Sequence, residues 1–114
     1  MTTKMIMIKD INGAVTYGLP FCDAEYSFTG LLAANVAQSV TVPVGSDKYL
    51  AIFAYSTGGE TWVANNATAV IPSGAVGSSV SQLNPVARQV KAADVLSLIT
   101  PDTACRFWVA FYAI

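Results

Sequence analysis

The chain contains no histidine. This removes the usual proton shuttle of Ser-His-Asp and Cys-His catalysis and the commonest metal ligand. Its only cysteines, Cys22 and Cys105, form no CxxC pair and cannot build a structural zinc site. Nothing in their spacing indicates a disulfide, and they are expected to be free, buried thiols. No GxGxxG and no GxxxxGK[ST] occurs, and Gly58-Gly59 alone signals a turn rather than a phosphate loop. The acids are dispersed, with Asp23 and Glu25 expected on the solvated face of a strand. The expectation is a non-enzymatic protein with no cofactor and no metal.

Charge is the second shortage. Charged residues make up 11% of the chain, against about 25% in ordinary globular domains. The six basic residues, Lys4, Lys9, Lys48, Arg88, Lys91 and Arg106, are scattered and the net charge is −1. A phosphate backbone needs clustered lysine and arginine, so nucleic-acid binding is not expected. Long apolar runs are lacking too. Tyr49–Tyr55 and Phe107–Ile114 fall far short of the ~20 residues that cross a bilayer as a helix. Met5–Ile8 is too short for the apolar core of a signal peptide, so synthesis in a cytoplasm and no membrane partner are expected.

Apolar mass, in contrast, is abundant: 54% of the residues are hydrophobic. The 114 residues suit one domain, which at this size buries roughly two thirds of the surface its unfolded chain exposes. The remaining apolar side chains must lie on the surface, where large patches mark association sites. An outer skin of Ser, Thr, Asn, Gln and Ala is the competing reading.

The stretch Tyr49–Ile71 reads as a long strand, a turn at Thr57-Gly58-Gly59-Glu60 and a returning strand opening with Trp62. Tyr49, Leu50, Ile52, Phe53 and Tyr55 put apolar bulk on both faces of the first strand, and a lone hairpin cannot bury both. Around it, Met1–Asp10 reads as an edge strand or as an arm added to a neighbouring subunit. Asn12-Gly13 signals a type I′ turn into a strand at Ala14–Tyr17. Phe21–Phe28 alternates with period two, and Leu31–Ala37 reads as a loop. Gln38–Val42 and Ala69–Ile71 read as strands, each stopped by a proline. Asn84-Pro85 marks a turn inside Ser81–Val90. Lys91–Asp94 connects to a last hairpin, Val95–Thr100 and Cys105–Ile114, whose final strand is apolar on both faces and is expected deep in a sheet, beside the central strand.

Eight or nine short strands with a turn signal every eight to twelve residues predict a single all-β domain over residues 1–114. The expected form is an antiparallel β-sandwich or jelly-roll-like barrel of about eight strands. Trp62, Phe107 and Trp108 are expected as core or interface anchors, and Met5, Ile6, Met7 and Ile8 as an inter-subunit contact. Tyr55, Trp62 and Trp108 could alternatively form a sugar-stacking platform.

The runs AIFAYSTGGETWVANNATAVIPSG, SQLNPVARQVKAADVLSLITPD and FWVAFYAI resemble small accessory proteins encoded near the head genes of tailed bacteriophages. What carries the resemblance is an order of segments: WVA-x-N-x-T-A, then NP-x-AR-x-V, an acid before a strand, and an aromatic last strand. It covers about the last two thirds of the chain and is weak over Met1–Gly30. The resemblance implies a capsid decoration or cement protein on the outer surface of a virion. Such a protein would be a dimer or trimer with itself and a partner of the major capsid protein. A carbohydrate-binding module touching host glycan, on a head fibre or tail, is the alternative, as is another tail or virion subunit.

Overall fold

A computed structural model of the chain describes residues 6–9, 15–18 and 26–114. The described residues are all-β, with ten strands. In chain order they are β1 (Ile6–Lys9), β2 (Val15–Gly18), β3 (Tyr26–Ala33), β4 (Gln38–Thr41) and β5 (Lys48–Tyr55). There follow β6 (Trp62–Asn65), β7 (Gln82–Leu83), β8 (Ala87–Lys91), β9 (Val95–Ile99) and β10 (Ala104–Ala113). β1 and β2 pair antiparallel with each other, Ile6 opposite Gly18 and Lys9 opposite Val15. The turn expected at Asn12-Gly13, the contact residue Met5, and the run Phe21–Glu25 lie outside the described residues.

The other eight strands form two four-stranded sheets, ordered β3-β10-β5-β8 and β4-β9-β6-β7. The pairings nest: β3 with β10, β4 with β9, β5 with β8, β6 with β7, all antiparallel. A two-stranded ribbon running from β6–β7 at one end to β3–β10 at the other is rolled over on itself. Ladders between β5 and β10 and between β6 and β9 close the roll. This is the jelly-roll form of the β-sandwich.

Period-two patterning explains which side chains fill the space between the sheets. Along β10, Cys105, Phe107, Val109, Phe111 and Ala113 are all buried. From β5 come Tyr49, Ala51 and Phe53, and from the facing sheet Val40, Val63, Leu96 and Leu98. Each valine, leucine or phenylalanine among them stabilises the fold by about 1.5–3 kcal/mol relative to exposure, and each alanine by less. Tyr49 and Phe111 meet edge to face at 6.2 Å and 79°, and Phe28 meets Phe111 at 5.8 Å and 74°, the geometry aromatic quadrupoles favour. Gly30 stands opposite Phe107 in the β3–β10 ladder. A Cβ built on it would lie 2.6 Å from the Phe107 ring, so the ring rests directly on glycine backbone.

Four expectations are corrected. Tyr49–Ile71 is not a hairpin: β5 and β6 belong to different sheets. The backbone of the connection is satisfied mostly by other segments, with Ser56 N–H donating to the Arg106 carbonyl at 2.9 Å and Glu60 N–H to Asp102 at 2.9 Å. Val95–Ile114 is likewise a crossover, with β9 and β10 in opposite sheets. Leu31–Ala33 end β3 rather than starting a loop, because Leu32 inserts fully into the core opposite Cys105. Ala69–Ile71 is not a strand. It crosses the outward side of β9, where Ala69 N–H donates to Ser97 Oγ at 2.9 Å and Val70 N–H to Ser81 Oγ at 3.0 Å. Serine hydroxyls there replace ladder carbonyls. The last strand does lie beside the central one, with β10 between β3 and β5.

Candidate interaction surface

The outward face of the β3-β10-β5-β8 sheet follows from the same alternation. Opposite the buried row of β10 lie Arg106, Trp108, Ala110 and Tyr112, and the matching row of β5 holds Leu50, Ile52 and Ala54. Trp108, Tyr112, Leu50 and Ile52 are half-buried, while Ala110 between them is fully covered. The centre of this face is therefore aliphatic and aromatic, and Arg106 and Lys48 mark its rim. At the Arg106 end a shallow depression of about 200 Å³ is lined by Thr29, Ala54, Tyr55, Ser56, Arg106, Phe107 and Trp108. It joins an indole to a guanidinium and to the aliphatic hydroxyl groups of Thr29 and Ser56.

The residues singled out in the sequence point in different directions. Phe107 is 4% exposed and packs in the core of its own chain, so parity takes it away from any partner surface. Its neighbour Trp108 faces outward. Trp62 is half-buried on β6 in the other sheet, and its indole N–H donates to Glu60 Oε2 at 2.8 Å. It sits in a cross-strand row with Ile99 and Leu83. Ile6, Met7 and Ile8 form most of β1. Tyr55, Trp62 and Trp108 do not converge on one platform. The Tyr55 ring stacks on Phe53 at 6.3 Å and 6°, and its hydroxyl donates to the Pro85 carbonyl at 2.7 Å. Burial pushes that phenol well above its ordinary range, with the nearby Arg88 charge opposing the shift.

The two lateral openings of the sandwich differ. Between β7 and β8, a cleft of about 220 Å³ has Phe53, Val63, Val90 and Leu96 as its floor and Asn65, Gln82 and Arg88 on its rim. Arg88 Nε donates to Gln82 Oε1 at 2.5 Å, tying the edges of the two sheets together. On the opposite side, a groove of about 420 Å³ is lined by Tyr26, Phe28, Thr41, Pro43, Val44 and Gly45. Tyr26 and Phe28 have inward parity yet are each 38% exposed there.

Two hydrogen-bonded clamps were not legible as such in the sequence. In the first, Asn84 Oδ1 accepts from Thr61 N–H at 2.7 Å, and Asn84 Nδ2 donates to the Gly59 carbonyl at 2.9 Å. Thr100 Oγ1 donates to the Glu60 carbonyl, and buried Thr61 Oγ1 meets Cys105 Sγ at 3.3 Å. In the second, Asp94 accepts from Lys91 N–H at 2.9 Å and from the amides of Asn65 and Asn66 at 3.1 and 3.0 Å. The Lys91 N–H, then the Asn66 amide, hold the Asp94 carboxyl below its usual range. The signal for the first was the Asn84-Pro85 step, and for the second the acid just before β9. The acids Glu60, Asp94 and Asp102 are thus engaged with neutral donors of the fold. No cluster of three or more His, Cys, Asp or Glu able to hold a metal occurs among the described residues.

No family model matches the chain, and neither a curated protein nor a solved structure matches it.

Proposed function

We propose that the chain is a non-enzymatic structural protein of a phage virion that binds the outer surface of the assembled capsid and stabilises it. The observation that carries this reading is the outward face of the central strands. Leu50, Ile52, Trp108 and Tyr112 form an apolar centre with charge only at the rim, the anatomy of a protein interface. The segments behind the phage resemblance, WVA-x-N, NP-x-AR-x-V and the acid before β9, supply the two clamps of the fold. A jelly roll alone does not indicate a function. A protein that binds only the assembled shell stabilises it by mass action and needs no chemistry.

The test is co-sedimentation with empty phage shells and heat release of packaged DNA from decorated and undecorated particles. The parent should pellet with shells and raise the release temperature, while the double variant Ile52→Asn with Trp108→Ser should stay in the supernatant. A parent that never pellets sinks the capsid reading.

A second reading is supported by the depression at Trp108. An aromatic ring beside Arg106, Ser56 and Thr29 combines stacking with polar contacts, as sugar sites do. Retention of the parent, but not Trp108→Ala, on a host-glycan array would favour a carbohydrate-binding module.

A further inference from the structure

We propose that the free edge of β3 is a strand-addition site whose occupant is β3 of a second copy of this chain. Among the described residues, β3 ends its sheet and pairs on one side only, with β10. Which of its backbone groups face outward follows from Arg106, the partner of Leu31. Arg106 N–H donates to Ser56 Oγ at 2.8 Å and its carbonyl accepts from Ser56 N–H at 2.9 Å, both away from β3. Leu31 and Arg106 are therefore a non-hydrogen-bonded pair, and the N–H and C=O of Leu31 point away from β10. By alternation so do those of Thr29 and Ser27. Among the described residues, the bond made to them is a 3.4 Å contact from Gln38 Nε2 to the Leu31 carbonyl, exposed and easily displaced.

Sheet edges are normally defended by shortness, charge or proline, and the other three edges of this sandwich are. β7 has two residues, β4 has four with Pro43 close behind, and β8 carries Arg88 and Lys91 after Pro85. β3 has eight residues, YSFTGLLA, with no charge and no proline. Beside it runs the groove of Tyr26, Phe28, Pro43 and Val44. A strand that adds to an edge takes affinity from main-chain bonds and specificity from pockets for alternate side chains, and both are here.

A second β3 suits this edge. It is uncharged, so two copies meet without like-charge repulsion, and antiparallel pairing about a two-fold axis satisfies both edges at once. With Thr29 on the axis, Ser27 of one copy pairs with Leu31 of the other, and Phe28 comes opposite Gly30. The result is one continuous eight-stranded sheet across the dimer. This dimer stands apart from the capsid reading, because edges can pair in a chain that binds no shell.

The experiment is the solution mass of full-length protein by light scattering. The parent should be a dimer. Thr29→Pro, which removes an outward N–H, should be a monomer with a parent-like melting curve. Should the proline variant fail to fold, Ser27→Lys with Leu31→Lys sets lysines opposite each other across the axis and should also give monomers. In a Cys22→Ser background, Thr29→Cys should oxidise to a covalent dimer, whereas Ser27→Cys and Leu31→Cys should not. A monomeric parent overturns the proposal, as does a dimer that survives the double lysine variant. A dimer lost in that variant but giving no cross-link at position 29 assigns the edge to another strand, such as the β1–β2 hairpin, and overturns β3 as the occupant.

Discussion

Replacing Gly30 with alanine tests the packing of the larger sheet at its tightest point. The new methyl carbon would stand 2.6 and 2.9 Å from two ring carbons of Phe107, where carbon atoms settle at about 3.5–4.0 Å. The ring must retreat by roughly 1 Å into a core that is already close-packed. Phe107 is 4% exposed and belongs to the continuous inter-sheet cluster. Overpacking of this kind costs about 1–3 kcal/mol, offset by the roughly 0.5–1 kcal/mol that alanine gains over glycine inside a strand. The net expectation is a loss of roughly 0.5–2 kcal/mol, read as a fall in Tm of about 2–8 °C for a domain of this size. The double variant Gly30→Ala with Phe107→Leu separates this clash from a general strand effect. The smaller side chain makes room, so the two costs should sum to less than their separate values, with a coupling on the order of 1 kcal/mol. Thermal melts of the four proteins close the cycle. A Gly30→Ala variant as stable as the parent, or strictly additive costs, would refute the claim that the ring is seated on the glycine.

Three further outcomes are expected. Ala93 has φ 67° in the Lys91–Asp94 turn, where an L side chain costs about 1–2 kcal/mol. Ala93→Gly should raise stability by roughly 0.5–1 kcal/mol, after the added freedom of the unfolded chain is subtracted, as a higher denaturation midpoint. Asn84→Ala leaves the N–H of buried Thr61 without its acceptor. It should cost about 1–3 kcal/mol in chemical denaturation, and an unchanged midpoint would show that water takes over the role. Asp94 has its carboxyl held below the usual range, so its contribution is present above the unfolded-state value of roughly 4 and is lost as pH falls through the lower folded value. Asp94→Asn should therefore melt below the parent at neutral pH, and the gap should narrow as the solution is acidified past that range.

Alternation of side chains made the strands legible. β4 and β10 could be read from QSVTV and CRFWVAFYAI, where apolar side chains recur at every second position, whereas β8 could not, because neither parity of ARQVK is apolar. What alternation cannot state is the sheet a strand joins. The Gly58-Gly59 turn serves a crossover as well as a hairpin, and only the acceptors on Arg106 and Asp102, far along the chain, decide between them. Ala69–Ile71 looked like a strand because it is apolar, yet only Ala69 is buried, against the back of β9: an apolar residue can be covered without joining a ladder. Of the candidate surface, Trp108 was legible as an aromatic in a strand that is apolar on both sides. Its separation from Phe107 follows from parity alone. The isolation of Trp62 in the other sheet is tertiary information, as is the undefended state of β3, because an edge is defined by what does not lie beside it.

The nested pairing of the rolled ribbon bears on how the chain reaches its folded form. β6 and β7 enclose only residues 66–81, and once they are joined, β8 is brought near β5 with only short connections left to order. Each completed ladder shortens the loop that the next must close, so the entropic cost of uniting β3 with β10 is far below what their distance along the chain suggests. Zipping outward from the middle would make this sandwich a faster folder than its long-range contacts imply, and would leave the β3 edge as the last part of the sheet to be completed.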